Sequence, residues 1–356
     1  MSESELIAAI RGRALGGLNR RRGSGSGLRV GIGDDCAILR VRPDEELVVT
    51  TDFSLEGVHF RREWHSPESV GHKCLARGLS DVAAMGARPV AAFLSLAVPE
   101  EWGAARRGGS SLRRSWVSRF FDGLLALAES YEVPLAGGDT ARAADGACFD
   151  IVVLGAVKRG RAWLRSGAKA GDAIYVTGAL GGAAAELVEL ERSKRKFAGL
   201  RTAAAGHPHL FPEPRLGVAA RLAALGRVHS AIDVSDGLST DLAHVCEESG
   251  LAAELDAAAI PVHALAVEAQ REGRVGSALD LALHGGDDYE LLFTAAAGAR
   301  IPRRVAGVEV RRIGRMVRGR PRLWLKDESG RREIEARGWE HFGKSPLPIH
   351  CENFLS

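Results

Sequence analysis

The chain has 356 residues, 46% of them hydrophobic and 26% charged, which gives it enough apolar material for two domains and excludes wholesale disorder. A net charge of +3 announces no nucleic-acid or membrane partner, and no apolar run approaches the ~18 residues of a transmembrane helix. The N-terminus, Met1-Ser-Glu-Ser-Glu5, has no basic segment leading into an apolar one, so the cytoplasm is the expected compartment. Cys36, Cys74, Cys148, Cys246 and Cys351 are scattered without a C-x-x-C and read as reduced, structural thiols.

Helix and strand patterns alternate along the chain, which predicts an α/β or α+β architecture. Ser2 to Glu5 has the form of a capping box opening a short helix through Ile10. Arg20 to Gly27, built of arginine, glycine and serine, predicts a flexible loop. Leu47 to Thr51 reads as a strand, and Ser66 to Met85 as a helix with Val70, Cys74, Leu75, Leu79 and Val82 at helical spacing. Val90 to Val98 reads as a buried strand, Glu100 to Ser115 as a surface excursion, and Trp116 to Tyr131 as a helix. A short strand follows at Val133 to Ala136 and a longer one at Phe149 to Val157. The basic, glycine-containing stretch from Lys158 to Gly171 marks a domain boundary. The expected division is a domain over 1–157, a second over 158–342 and an extension over 343–356.

Beyond the boundary, Ala173 to Thr177 predicts a strand and Ala183 to Glu191 a helix, with Ser193 to Pro214 an exposed connection. A strand at Ala231 to Val234, a helix at Thr240 to Glu248 and a strand near Leu291 to Thr294 come next. Residues 300–337 hold 13 arginines and lysines between short apolar runs, which reads as exposed strands with solvated arginine stems; few aromatics accompany them, and no nucleic-acid partner is expected.

G-x-x-x-x-G-K-[ST], H-E-x-x-H and G-x-S-x-G are all missing. Thr177-Gly-Ala-Leu-Gly-Gly182 follows a strand and opens a helix, the place where a helix N-terminus can hold phosphate, but the G-x-G-x-x-G spacing fails and close backbone packing explains it as well. What recurs instead is aspartate where apolar segments end. The cases are Gly31-Ile-Gly-Asp-Asp35, Thr50-Thr-Asp52, Leu79-Ser-Asp81, Gly137-Gly-Asp-Thr140, Ile232-Asp-Val-Ser-Asp-Gly237 and Gly285-Gly-Asp-Asp-Tyr-Glu290. Any one of these suits a turn or helix cap. Together they offer hard oxygen ligands, which favour Mg²⁺ over zinc, and Mg²⁺ is usually shared with substrate phosphates.

The order and text of these motifs resemble the thiamine-monophosphate kinase family, part of the superfamily that also holds aminoimidazole ribonucleotide synthetase and selenide, water dikinase. The segment His72 to Pro89 is similar to the superfamily's shared helix and turn. Thr50-Thr-Asp52 with Gly57-Val-His59-Phe60, Gly137-Gly-Asp-Thr140, Arg165-Ser-Gly-Ala168, Ile232 to Leu242, Asp288 to Phe293 and Trp339-Glu-His-Phe342 are similar to the kinase in particular. No reactive Cys and Lys pair sits in the N-terminal glycine-rich loop, which sets the chain apart from selenide, water dikinase.

The resemblance implies an α/β fold of the α+β type, with a strand-rich, dimerising N-terminal domain, a C-terminal α/β domain and ATP in the cleft between them. It implies phosphoryl transfer from ATP to thiamine monophosphate, giving thiamine diphosphate and ADP, with several Mg²⁺ ions, in a homodimer. By position, Asp35, Thr50, Thr51, Asp52, Asp81, Asp139, Asp233 and Asp236 match metal ligands. Gly138, Asp139, Arg165 and Ser235 match ATP contacts, and His59, Asp287 and Trp339 match contacts to the thiamine phosphate. The family usually carries Glu where this chain has Asp287. A phosphate acceptor has its second pKa near ~6 and is already an anion at pH 7, so no general base or covalent nucleophile is required of the protein.

Overall fold

A computed structural model of the chain describes residues 7–8, 10–14, 27–103, 106–108, 111–113, 115–193 and 206–339. The capping box at Ser2, the loop from Arg20 to Ser26, the first part of the Ser193–Pro214 connection, parts of the Glu100–Ser115 excursion and everything from residue 340 on lie outside them, so the 343–356 extension, Cys351 and the Glu340–Phe342 part of the terminal motif are not described. The described residues divide into two compact units. One holds those up to Arg159 except Ala83–Ala87, with Gly206; the other holds Ala83–Ala87, Gly160–Ser193 and the residues from His207 on.

The first unit opens with the short pair β1 (Leu28–Val30) and β2 (Ile38–Leu39), followed by β3 (Glu45–Leu55), α1 (Pro67–Ala84) and β4 (Arg88–Val98). The four-residue α2 (Glu100–Gly103), the hairpin of β5 (Arg106–Gly108) and β6 (Ser111–Arg113), α3 (Trp116–Ser130), β7 (Leu135–Arg142) and β8 (Cys148–Lys158) complete it. Its main sheet has the order β3-β8-β4-β7, antiparallel except for the parallel β4–β7 pair. Burial alternates along β3: Val48, Thr50, Asp52 and Ser54 turn inward, while Leu47, Val49, Thr51 and Phe53 are exposed, the strand period of two. The apolar stripe of α1, with Cys74, Leu75 and Leu79 fully buried, faces the core beside Phe149, Ile151 and Val153. Phe120 stacks on Phe149 at 4.3 Å between ring centres, and Trp102 packs on Trp116 at 4.3 Å, so the excursion after Val98 begins with a buried anchor rather than a surface residue.

The second unit contains β9 (Ala173–Thr177), α4 (Gly182–Ser193), α5 (Leu216–Leu225), β10 (Val228–Val234), α6 (Leu238–Ser249), β11 (Ala252–Asp256), α7 (Ala264–Arg271), α8 (Ala278–His284), β12 (Glu290–Ala295), β13 (Arg304–Val305), β14 (Val308–Val317), β15 (Leu323–Asp327) and β16 (Gly330–Ile334). Its sheet runs β10-β12-β9-β14-β11-β15-β16, with β13 pairing β14. Ile174, Val176, Ile232, Val234, Leu242, Leu292, Ile313 and Leu325 meet in one core between the sheet and α6.

Two expectations change here. The arginine-rich stretch is expected as exposed strands with solvated arginine stems; the arginines are exposed, but β14 itself lies inside the sheet between β9 and β11, with one face in the core. Val310, Ile313 and Met316 fill the core while Arg311, Arg312 and Arg315 stand outside, several in ion pairs: Arg315 with Glu254 at 2.8 Å and Arg331 with Glu254 at 3.2 Å. Likewise part of the 193–214 connection is buried rather than exposed, with His209, Leu210 and Phe211 at most 7% exposed between the exposed Gly206 and Glu213. Among the described residues no helix is long and apolar enough to cross a membrane.

Candidate functional site

The first unit presents its polar site residues on both faces of one sheet. Asp52 and Asp139 do not end their strands, as the apolar runs suggested. Backbone pairing carries β3 on to Leu55 and β7 on to Arg142. Since side chains alternate, Thr50 and Asp52 point toward α1 and Thr51 points away. On the helix side, Thr50 Oγ1 donates to Asp81 Oδ2, and Arg77 of α1 donates to Asp52 Oδ1 at 3.1 Å. On the outer face, Thr51 Oγ1 donates to Asp150 Oδ1 at 2.6 Å. The register aligns Phe53, Asp150, Ser95 and Asp139 across the four strands, so Asp139 shares the outer face with Thr51. Arg77 and Asp150 escaped the sequence reading, because their partnership with the motif residues exists only through strand register and helix packing.

Gly138 is placed by geometry. Its φ is 152°, and a β-carbon there would stand 1.8 Å from the Leu94 carbonyl oxygen of the neighbouring strand. The glycines of this motif let β7 approach β4, which brings Asp139 into register with Ser95. His59 closes the turn after β3: the Leu55 backbone N–H donates to its Nδ1 at 3.0 Å. The ring proton therefore sits on Nε2, which can serve as a donor. Asp35 is exposed in the turn between β1 and β2.

In the second unit the sequence Ile232 to Leu242 forms a tightly bonded strand-to-helix turn. Three successive amides, those of Ser235, Asp236 and Gly237, each donate to Asp241 Oδ2 at 3.1 Å. Three successive carbonyls take donors from elsewhere in the unit: Val234 from Tyr289 N–H at 2.8 Å, Ser235 from Asp287 N–H at 2.7 Å, and Asp236 from Trp339 N–H at 3.0 Å. Thus Ser235 and Asp236 are brought together with Asp287 and Trp339. Asp241, 2% exposed, holds this turn together, although by sequence it is indistinguishable from an ordinary helix aspartate. Burial holds its carboxyl well above the ordinary range, and the charges of Asp233 and Asp236 push the same way.

Arg165 stands apart. Its carbonyl accepts from Ser230 Oγ at 3.0 Å and Ser249 Oγ at 2.8 Å, near the start of β10 and at the end of α6. Ser235 follows the other end of β10, about 16 Å further at ~3.3 Å per residue. The glycine-rich turn before α4 is also settled as packing. The carboxylate of Asp288 accepts the amides of Gly181 at 2.7 Å and Ala183 at 3.4 Å, so protein fills the place where a phosphate would sit. A β-carbon on Gly181 would meet Ala282 at 2.7 Å, and one on Gly182 would meet His263 at 2.6 Å.

The donors at these positions are carboxylate and hydroxyl oxygens, the set that suits Mg²⁺. Among the described residues no three His, Cys, Asp or Glu side chains converge as a metal cluster; the carboxylates stand singly or in pairs. Such an arrangement fits an ion that keeps much of its water and takes one or two protein carboxylates at a time. Burial pushes the Cys74 and Cys246 thiols up to about 12, which leaves both as inert core residues.

Comparison with known proteins covers both halves of the chain. Residues 33–157 match the model of the AIR synthase related protein N-terminal domain, and residues 169–325 that of its C-terminal domain. A thiamine-monophosphate kinase from Rhodopirellula baltica is 36% identical over 323 residues, covering 88% of this chain and 91% of the relative. The crystal structure of thiamine-monophosphate kinase from Stenotrophomonas maltophilia superposes with a TM-score of 0.73 at 36% identity, covering 93% of this chain and 98% of that one. AaThiL, solved in complex with AMPPCP and TMP, superposes with a TM-score of 0.70 at 27% identity, covering 96% of this chain and 97% of that one. With both domain models matched and a relative 36% identical along nearly its whole length, the chain belongs to the thiamine-monophosphate kinase family.

Proposed function

We propose that this protein transfers the γ-phosphoryl group of ATP to thiamine monophosphate, giving thiamine diphosphate and ADP, the last step of thiamine diphosphate biosynthesis. The observation that carries the reading is the turn from Val234 to Gly237, bonded at once to Asp241, Asp287, Tyr289 and Trp339. It joins residues matched to nucleotide and metal with residues matched to the thiamine phosphate. The AMPPCP and TMP complex of a relative of the same fold supports it.

The difficulty of this reaction is electrostatic, since two polyanions must meet in line. Asp35, Thr50, Thr51, Asp52, Asp81, Asp139, Asp233 and Asp236 would hold Mg²⁺, whose bound charge offsets that of the phosphates. Gly138, Asp139, Arg165 and Ser235 would contact ATP, Arg165 as an exposed cation able to pair with phosphate oxygens. His59 would donate a hydrogen bond to the acceptor phosphate, and Trp339 would offer an aromatic face to the cationic thiazolium. The acceptor is already an anion, so transfer is direct and the protein supplies position rather than a nucleophile.

We place the enzyme in the cytoplasm as a homodimer. Leu47, Val49 and Phe53, at 48%, 64% and 56% exposure, line one face of β3, an apolar surface suited to burial against a second copy. The test of function is direct: purified protein with ATP, Mg²⁺ and thiamine monophosphate should yield thiamine diphosphate, and its absence would refute the proposal.

A further inference from the structure

The carboxylate of Asp287 is held on two sides. Tyr289 Oη donates to Oδ1 at 2.8 Å, and His209 Nδ1 lies 3.4 Å from Oδ2. The backbone beneath is strained: φ is 59° at Asp287 and 51° at Tyr289, the left-handed region that residues with a β-carbon rarely occupy. Such a conformation persists where its surroundings over-determine it, and it clusters at functional sites.

His209 is fixed by separate contacts. Its backbone N–H donates to Glu186 Oε2 at 2.7 Å, and the Leu210 N–H reaches the same oxygen at 3.4 Å. His207 Nδ1 lies 2.6 Å from Glu186 Oε1. Glu186 belongs to α4, and the first amides of α4 bind Asp288, the neighbour of Asp287. One helix therefore fixes both the 287–288 arch and the histidine that faces it. His209 is 3% exposed, so its ring serves the interior, where Nδ1 lies beside the partly exposed carboxylate of Asp287, at 36%.

We propose that His209 is a positioning residue for substrate recognition: it holds one oxygen of Asp287 so that the carboxylate meets the thiamine monophosphate in a single orientation. This rests on the reading of Asp287 as a substrate contact. With His209 in place the carboxylate meets Tyr289 Oη at one oxygen and the His209 ring at the other; removing the ring takes away the contact at Oδ2 and loosens the orientation in which substrate meets the group. The loss falls on binding of one substrate and leaves the phosphoryl-transfer geometry alone.

The test is steady-state kinetics on the full chain: wild type, His209→Ala, His209→Asn, Asp287→Ala and the His209→Ala/Asp287→Ala double variant, with thermal melts alongside. His209→Ala should raise KM for thiamine monophosphate about tenfold, the scale of one polar contact to a charged group. Turnover and KM for ATP should stay within about twofold. His209→Asn, whose amide can take the place of Nδ1, should restore most of the loss. In the Asp287→Ala background, His209→Ala should add nothing. An unchanged KM for thiamine monophosphate, or an effect undiminished without Asp287, would overturn the proposal. If His209→Ala does not fold, His209→Leu takes its place in the same cycle. A wild type that makes no thiamine diphosphate would sink the assigned function and this proposal together; an active wild type indifferent to His209 would sink the proposal alone.

Discussion

Replacing Asp241 with alanine would remove the acceptor shared by the amides of Ser235, Asp236 and Gly237, each 3.1 Å from the same oxygen. The residue is 2% exposed, so water is poorly placed to substitute. A buried donor left without a partner costs about 1–3 kcal/mol, but three donors sharing one oxygen do not add independently, so a loss of about 3 kcal/mol is expected. Asparagine is a different perturbation, since it keeps an oxygen in place and removes the charge. Burial, with Asp233 and Asp236, holds the Asp241 carboxyl well above its ordinary 3.8. The contribution of such a raised group is fully present below 3.8 and is lost as pH rises through the folded value. Wild type should therefore weaken with rising pH through this group, and Asp241→Asn should not.

Urea unfolding followed by circular dichroism, near pH 5 and near pH 8, tests both points. Asp241→Ala should fall below wild type at both pH values and lose kinase turnover, because the turn carrying Ser235 and Asp236 loosens. Asp241→Asn should exceed wild type at both pH values, and by more near pH 8 than near pH 5. An alanine variant as stable as wild type, or an asparagine variant as weak as alanine, would refute the reasoning.

Asp139→Asn should cost most of the turnover while the melting temperature holds; near wild-type turnover would overturn the proposal that Asp139 holds metal. Gly138→Ala should push β7 from β4, since its β-carbon would meet the Leu94 carbonyl at 1.8 Å; a melting temperature within a degree of wild type would show that the strand shifts freely. Burial pushes the Asp288 carboxyl up to about 8, so its contribution to stability is lost as pH rises toward and through that value, and Asp288→Asn should flatten the decline; an unaltered pH profile of the unfolding midpoint contradicts this. Incubation with γ-labelled ATP and no acceptor should leave the protein unlabelled, and stable label that thiamine monophosphate chases off would establish a phosphoenzyme instead.

Much of the fold could be read along the chain. The stripe of Val70, Cys74, Leu75 and Leu79 fixed α1, which runs from Pro67 to Ala84, and the apolar run ending at Val98 gave β4. Strand ends were less legible. Asp52 and Asp139 look like terminators because a carboxylate disfavours a strand by itself, yet the unbroken pairing of β3 with β8 carries Asp52 inside. The buried 209–211 segment resembled a connection because its sequence shows no period; Glu186 of α4 accepts its backbone amides, a partnership no local pattern records.

For the site, the chain's own text determined which chemistry is available: aspartates and threonines as hard oxygen donors, no activated nucleophile motif, and a motif order similar to one kinase family. Those are properties of residue type and spacing, which survive without coordinates. Which residues meet was decided only by the tertiary structure. The sheet register set Thr51 and Asp139 on one face and Thr50 and Asp52 on the other, and hydrogen bonds drew Asp287 and Trp339 onto the turn at Ser235 and Asp236. Asp241, Asp150 and His209 gain their roles the same way. The physical reason is that a hydrogen bond between backbone groups distant in sequence depends on neither residue's identity, so no local pattern records it.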